Sequence, residues 1–305
     1  MRWRPSSQNQ VEDRRGEWGR GGGLGGVRMG GLGGGGIPIP LGGGIGGVVL
    51  VIIIYVVINL LSGSGLGGAL SGLGGGPAGG GGISASLDPG DNEAQFINAV
   101  TVDVQTFWAD RFQAAGKTYP ETKIVLFTNQ TQSGCGVASS ATGPFYCPAD
   151  KLVYLDSGFF DELRTRFGAS GDFAHAYVIA HEFGHHVQDA LGIMDQVQQQ
   201  QNSSNANDLS IRLELQADCL AGVWAHSVWA SPDQQNVESI TDQDVTDALN
   251  AAQAVGDDRI QQQATGTIDK ESWTHGSAAQ RATWFNAGFK GGTTDSCDTF
   301  SVAQP

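Results

Sequence analysis

His181-Glu182-Phe183-Gly184-His185 is the segment whose residue types and spacing could do chemistry. On a helix, residues i and i+4 lie one turn apart on one face. Both imidazoles can therefore reach one Zn²⁺ about 2.0–2.1 Å away. Glu182 is rotated about 100° from His181. It stays beside the metal without ligating it, placed to take a proton from a water held there. His186 points off the metal face. A catalytic zinc site needs a third protein ligand and an open position. The long pattern with glycine at 188 and histidine at 191 is excluded, because Gln188 and Leu191 stand there. Glu214-Leu215-Gln216-Ala217-Asp218 supplies a carboxylate downstream. Glu214 and Asp218 would share one helix face, so Glu214 is the expected third ligand. Asp218 is expected to accept the other ring N–H of His181, fixing its tautomer and raising its basicity. Asp208 is a rival ligand, set in a polar passage without apolar helical neighbours. The competing reading is a structural helix with surface histidines. The pairing of the two segments argues against it.

Attack of a metal-held water on a carbonyl would create an oxyanion, and a donor besides the metal usually stabilises it. The candidates are His275, Arg281, Tyr146 and Tyr154. His275 stands beside Gly276 in a Ser/Thr/Gly turn and could fold over the cleft; the alternative is a capping or surface histidine. Arg281 is expected in a salt bridge rather than on a substrate carboxylate. Asp242, Asp244, Asp257 and Asp258 read as helix-end acids in preference to calcium ligands.

These residues need helices to hold them. Apolar residues at helical spacing run from Asn92 to Phe112. Lys123–Thr128 and Lys151–Asp156 read as strands, and Ser157–Phe167 as a helix. Phe173–Leu191 is the metal helix, with Asp172 as its expected N-cap and Gly192 past its end. Ile193–Leu209 is polar and reads as a mobile loop or frayed helix. Ser210–Trp229 and Thr241–Val255 read as further helices. The fold class is α+β, a helix-rich domain with a few strands before the central helices.

The rest of the chain differs in composition. The protein has 305 residues, 47 of them glycine, and a net charge of -14. From Gly63 onward, 11 basic residues face 28 acidic ones. An acidic domain lacks the clustered Lys/Arg that nucleic acid requires, so no nucleic-acid partner is expected. Residues 1–40 read as a disordered, Arg/Gly-rich tail, because 17 of the 29 residues from Gly19 to Gly47 are glycine. Residues 41–61 include an unbroken apolar run from Val48 to Ile58. As a helix they reach about 30 Å, the thickness of a hydrocarbon core. They are expected to be a single-pass membrane anchor rather than a buried strand or a cleaved leader. The arginine excess before the anchor places residues 1–40 in the cytoplasm and the domain outside it. Residues 62–86 form a Gly/Ser-rich tether, and residues 87–305 the remaining domain.

At the metal segments the chain resembles the gluzincin class and, more narrowly, the bacterial neutral zinc metallopeptidase family. The likeness is carried by His181–His185, Glu214–Cys219, Gly143–Asp150, Val153–Asp156, Gly256–Arg259 and Thr274–Ser277. Val11–Gly16 resembles that family's opening. One departure is Ala278-Ala279 before Gln280. The resemblance implies a gluzincin-like domain on a bacterial membrane anchor, hydrolysing a peptide or protein substrate with Zn²⁺. It also implies that an edge strand, expected around Val153–Leu155, pairs with extended substrate. The alternative is a non-catalytic envelope protein that keeps zinc as a staple and binds a partner or wall component. Four cysteines, all after the apolar run, suggest disulfides outside the cytoplasm. Three pairings are possible; Cys135–Cys147 with Cys219–Cys297 is the expected one. A Cys₂His₂ zinc site is disfavoured, because no two cysteines lie two to four residues apart.

Overall fold

Asp91 opens the first long helix, its side chain accepting from the Ala94 N–H at 3.0 Å. The computed structural model describes residues 1–17, 87–232 and 236–305. Helix α1 (Asn92–Ala114) buries Phe96, Ile97, Val100, Val104, Phe107 and Trp108, as its spacing requires. Strands β1 (Arg2–Trp3) and β2 (Val11–Asp13) precede it. β3 (Ile124–Phe127), β6 (Phe145–Cys147) and β7 (Leu152–Asp156) follow. The main sheet has the order β2-β3-β7-β6, with β6 antiparallel to β7 and the other pairs parallel. All four residues of β3 are buried, because the sheet is covered on both faces. Between β3 and β6 lies a hairpin, β4 (Gln130–Ser133) with β5 (Gly136–Ser139), which the sequence pattern did not disclose.

Two expectations are corrected here. Residues 1–17 are not part of a disordered tail. β2 pairs with β3 in parallel, Val11 opposite Ile124, and β1 pairs with β8 (Val237–Ser239). Buried Asn98 clamps the segment with both ends of its amide. It accepts from the Gln10 N–H and donates to the Gln8 carbonyl, each at 2.8 Å. Trp3 meets Phe96 edge-on at 5.6 Å. Second, β7 is not an edge strand, since β3 and β6 flank it; the edge on that side is β6. Residues 18–40, the expected anchor at 41–61 and the tether at 62–86 lie outside the described residues. Among the described residues, no helix is long and apolar enough to cross a membrane.

Helices build the remainder. α2 (Phe159–Phe167) leads to α3 (Asp172–Ala190), the central helix. The polar passage after it is more ordered than expected. It contains α4 (Ile193–Gln198), and α5 (Ala206–Ala230) starts four residues before Ser210. An Asp208–Arg212 ion pair at 2.7 Å, one turn apart, supports that extra turn. α6 (Asp242–Ala254) opens on a reciprocal Thr241/Asp244 capping box. α7 (Asp257–Thr265) and α8 (Ala278–Gly291) complete the domain. Gly222 on α5 and Gly288 on α8 let these two backbones touch, since a Cβ on either would collide with the other helix. Both expected disulfides are present, with Cα separations of 5.8 Å for Cys135–Cys147 and 5.5 Å for Cys219–Cys297.

Candidate metal centre

Gly184 brings the two metal helices together. A Cβ there would lie 3.0 Å from the Cα and carbonyl oxygen of Ala217, so a larger residue would push α3 and α5 apart by a few tenths of an ångström. Glu214, one turn before Ala217, then faces the two histidines. Its carboxylate oxygens lie 3.2 Å from His181 Nε2 and 3.4 Å from His185 Nε2. One ligand atom from each of His181, His185 and Glu214 falls within 4.8 Å of the others. Two imidazole nitrogens and one carboxylate oxygen form a donor set suited to zinc. Asp208 is not among them, being paired to Arg212 instead.

Asp218 lies beside His181, where its spacing placed it. It is fully buried and sits 2.8 Å from His181 Nδ1. It also accepts from Tyr177 Oη at 2.5 Å and from Arg281 through Nε at 2.8 Å and Nη2 at 2.9 Å. Burial raises the Asp218 pKa, but Arg281 and His181 outweigh it and hold the group ionised. Burial opposes charge on His181 too, yet Asp218 and Glu214 carry its pKa up to about 10 without metal. Arg281 is thus the expected salt-bridge partner, 4% exposed and turned inward.

Glu182 is 7% exposed, and it lines the same cleft as His181, His185 and Glu214. Burial raises its pKa above the ordinary carboxyl value, against the pull of both histidines. His275 lines the cleft as well, and Asp257 holds it there. Asp257 Oδ2 accepts from the backbone N–H groups of Thr274, His275 and Gly276 at 2.7–3.1 Å. Asp257 Oδ1 lies 3.2 Å from His275 Nδ1. Burial opposes charge on His275, but Glu214 and Asp257 raise its pKa. Tyr146 lines the cleft and donates to Asp189 at 2.8 Å. Tyr154 does not line it; it is buried in the sheet and donates to Asp150 at 2.7 Å. His186 is buried outside the candidate ligand set, with Nε2 2.6 Å from the Pro120 carbonyl.

Sequence reasoning missed three residues. Gly184 reads as a free position of the motif. Asp257 reads as an acid in a helix's first turn, which it also is. Gln188, used only to exclude a longer motif, accepts from His185 Nδ1 at 2.8 Å. Its position three residues after His185 is the signal that could have found it.

The HExxH helix and the downstream Glu214 together form a candidate zinc-binding set. The chain belongs to the family described as "Putative neutral zinc metallopeptidase", which it matches over residues 1–300. It is 44% identical over 306 residues to a protein of Escherichia coli K12 named "Uncharacterized protein YpfJ", covering 98% of this chain and 99% of that one. It is 52% identical over 193 residues to "Uncharacterized protein Rv2575" of Mycobacterium tuberculosis H37Rv, covering 61% of this chain and 64% of that one. No solved structure matches the chain.

Glu214→Ala is expected to leave only two ligands, so zinc measured by metal analysis after dialysis should fall well below one equivalent. Full occupancy in that variant would remove Glu214 from the ligand set.

Proposed function

We propose that the protein is a zinc-dependent peptidase hydrolysing internal bonds of peptide or protein substrates, with Glu182 as general base. The observation that carries this reading is Glu182 itself. It is a buried carboxylate in the cleft beside the three candidate metal ligands, and a purely structural zinc site has no task for it. Zinc, when bound, would polarise the scissile carbonyl and lower the pKa of water. Glu182 takes the proton from the attacking water and returns it to the leaving amine. His275, oriented by Asp257, donates to the oxyanion. The test is hydrolysis of casein and a quenched peptide library by purified protein with zinc. A protein that holds zinc yet cleaves nothing across a broad library would overturn the proposal.

His275→Ala is expected to lower kcat about 10²–10³-fold with little change in zinc content. An unchanged kcat would assign the oxyanion to another donor. The cleft holds about 380 Å³, and its walls include Phe145, Val178, Met194, Leu213 and Ile260. Such walls favour substrates with apolar side chains. β6, at the sheet's edge and lining the cleft through Phe145 and Tyr146, offers a backbone against which an extended peptide can lie.

We place the domain on the outer face of a bacterial membrane, because two disulfides suit an oxidising compartment. From the continuity of the β2–β3 sheet we infer that residues 1–17 lie on that same face. Exposed Ser7 and Ser301, each replaced by cysteine in turn, should react with a membrane-impermeant maleimide from the same side in intact spheroplasts. Reaction from opposite sides would restore the cytoplasmic N-terminus.

A further inference from the structure

His181 and His185 stand one turn apart, yet their outer nitrogens are held by unlike groups. Asp218, a carboxylate, faces His181 Nδ1; Gln188, a neutral amide, faces His185 Nδ1. A carboxylate can only accept when ionised, so the His181 proton is settled by its partner. An amide can face either way, and its orientation must be argued from what surrounds it.

The surroundings of Gln188 decide. It is fully buried on α3, and its Nε2 lies 2.8 Å from the backbone carbonyl of Leu213 and 3.1 Å from Gln216 Oε1. Gln216 in turn has its Nε2 3.0 Å from the backbone carbonyl of Cys297. Backbone carbonyls only accept. The Cys297 carbonyl therefore requires the NH₂ of Gln216, which turns Gln216 Oε1 toward Gln188. The Leu213 carbonyl and Gln216 Oε1 both require the NH₂ of Gln188. Gln188 Oε1 is left facing His185, and His185 Nδ1 must be the donor. In the neutral ring the lone pair then falls on Nε2, the atom that lies toward Glu214. Each bond in this chain runs in one direction, and reversing any one leaves two acceptors facing each other in a buried place.

The far end of the chain is anchored covalently. Cys297 is tied to Cys219 on α5, so the carbonyl that orients Gln216 is held against the helix that carries Glu214.

We propose that Gln188 and Gln216 form a one-directional amide relay, anchored at the Cys297 carbonyl, that holds His185 with its proton on Nδ1 and Nε2 free for zinc. The inference rests on the zinc-site reading above. Gln188 is a positioning residue: it acts through His185 and touches neither metal nor substrate.

The test is a zinc dissociation constant, measured on the full chain by competition with a chromogenic chelator. Gln188→Met keeps the side chain's length and removes the acceptor; affinity should fall about 10–100-fold, the range for lost partners of metal-bound histidines. Gln216→Met should give a smaller loss, because Leu213 still orients Gln188. The double variant should bind zinc no worse than Gln188→Met alone, because Gln216 acts only through Gln188. Additive losses would indicate two independent packing effects and overturn the relay. So would wild-type affinity in Gln188→Met with an unchanged melting profile. If Gln188→Met does not fold, Gln216→Met alone must still weaken zinc, and an unchanged constant there overturns the proposal. A wild-type protein that binds no zinc would instead defeat the zinc-site reading itself, and the relay with it.

Discussion

Glu182→Gln is expected to keep zinc and lose hydrolysis, with kcat/KM falling about 10²–10⁴-fold, the usual contribution of a positioned general base. Glutamine matches the glutamate in shape, so the side chain still fits its buried place on α3. What it loses is the ability to take and return a proton. The candidate ligand set does not include residue 182, so metal analysis should report the same zinc per chain as wild type. This pairing of readouts separates Glu182 from Glu214, whose removal lowers zinc content first. It also separates a peptidase from a zinc-stapled binding protein, in which Glu182→Gln would change neither quantity of interest. A variant that cleaves peptides at the wild-type rate would show that another group serves as base.

The candidate metal centre was legible where its residues come together through short-range periodicity. His181, Glu182 and His185 lie within five residues on one helix, and Glu214 and Asp218 within five on another. A helix turns such spacings into a shared face without reference to the rest of the chain. The capping box at Thr241 is legible for the same reason. What could not be read depends on partners far away in sequence. β2 has only three residues and no pattern of its own; it becomes a strand because β3, more than a hundred residues later, accepts it and Asn98 clamps the chain before it. The first 17 residues sit next to a glycine-rich stretch and shared its apparent character, although their glycine content is low. β6 and β7 show the same limit. Alternation identifies a strand at Val153–Leu155, but which strand is the edge is a property of the whole sheet. Gln188 and Asp257 each bond to groups that the fold, not the local pattern, supplies.

Asp218→Ala is expected to cost about 3–5 kcal/mol of stability, the range for removing one member of a buried ion pair. The carboxylate has no exposed surface and Arg281 has almost none. Without Asp218 the guanidinium stays buried, keeping only weaker contacts such as the Val255 carbonyl at 3.3 Å, and Tyr177 Oη loses its acceptor. Denaturant unfolding of the full chain would read the loss. Replacing both partners, Asp218→Leu with Arg281→Met, should recover much of it, because a matched apolar pair leaves no uncompensated charge. Zinc affinity should not recover with it. His181 Nδ1 would still lack the acceptor that fixes its tautomer, and loss of such a partner costs about 10–100-fold in metal affinity. If affinity returned together with stability, Asp218 would serve only to neutralise Arg281. If stability returned while affinity stayed low, the same carboxylate would be shown to do two separable things: hold α8 against α5, and aim a histidine at the metal.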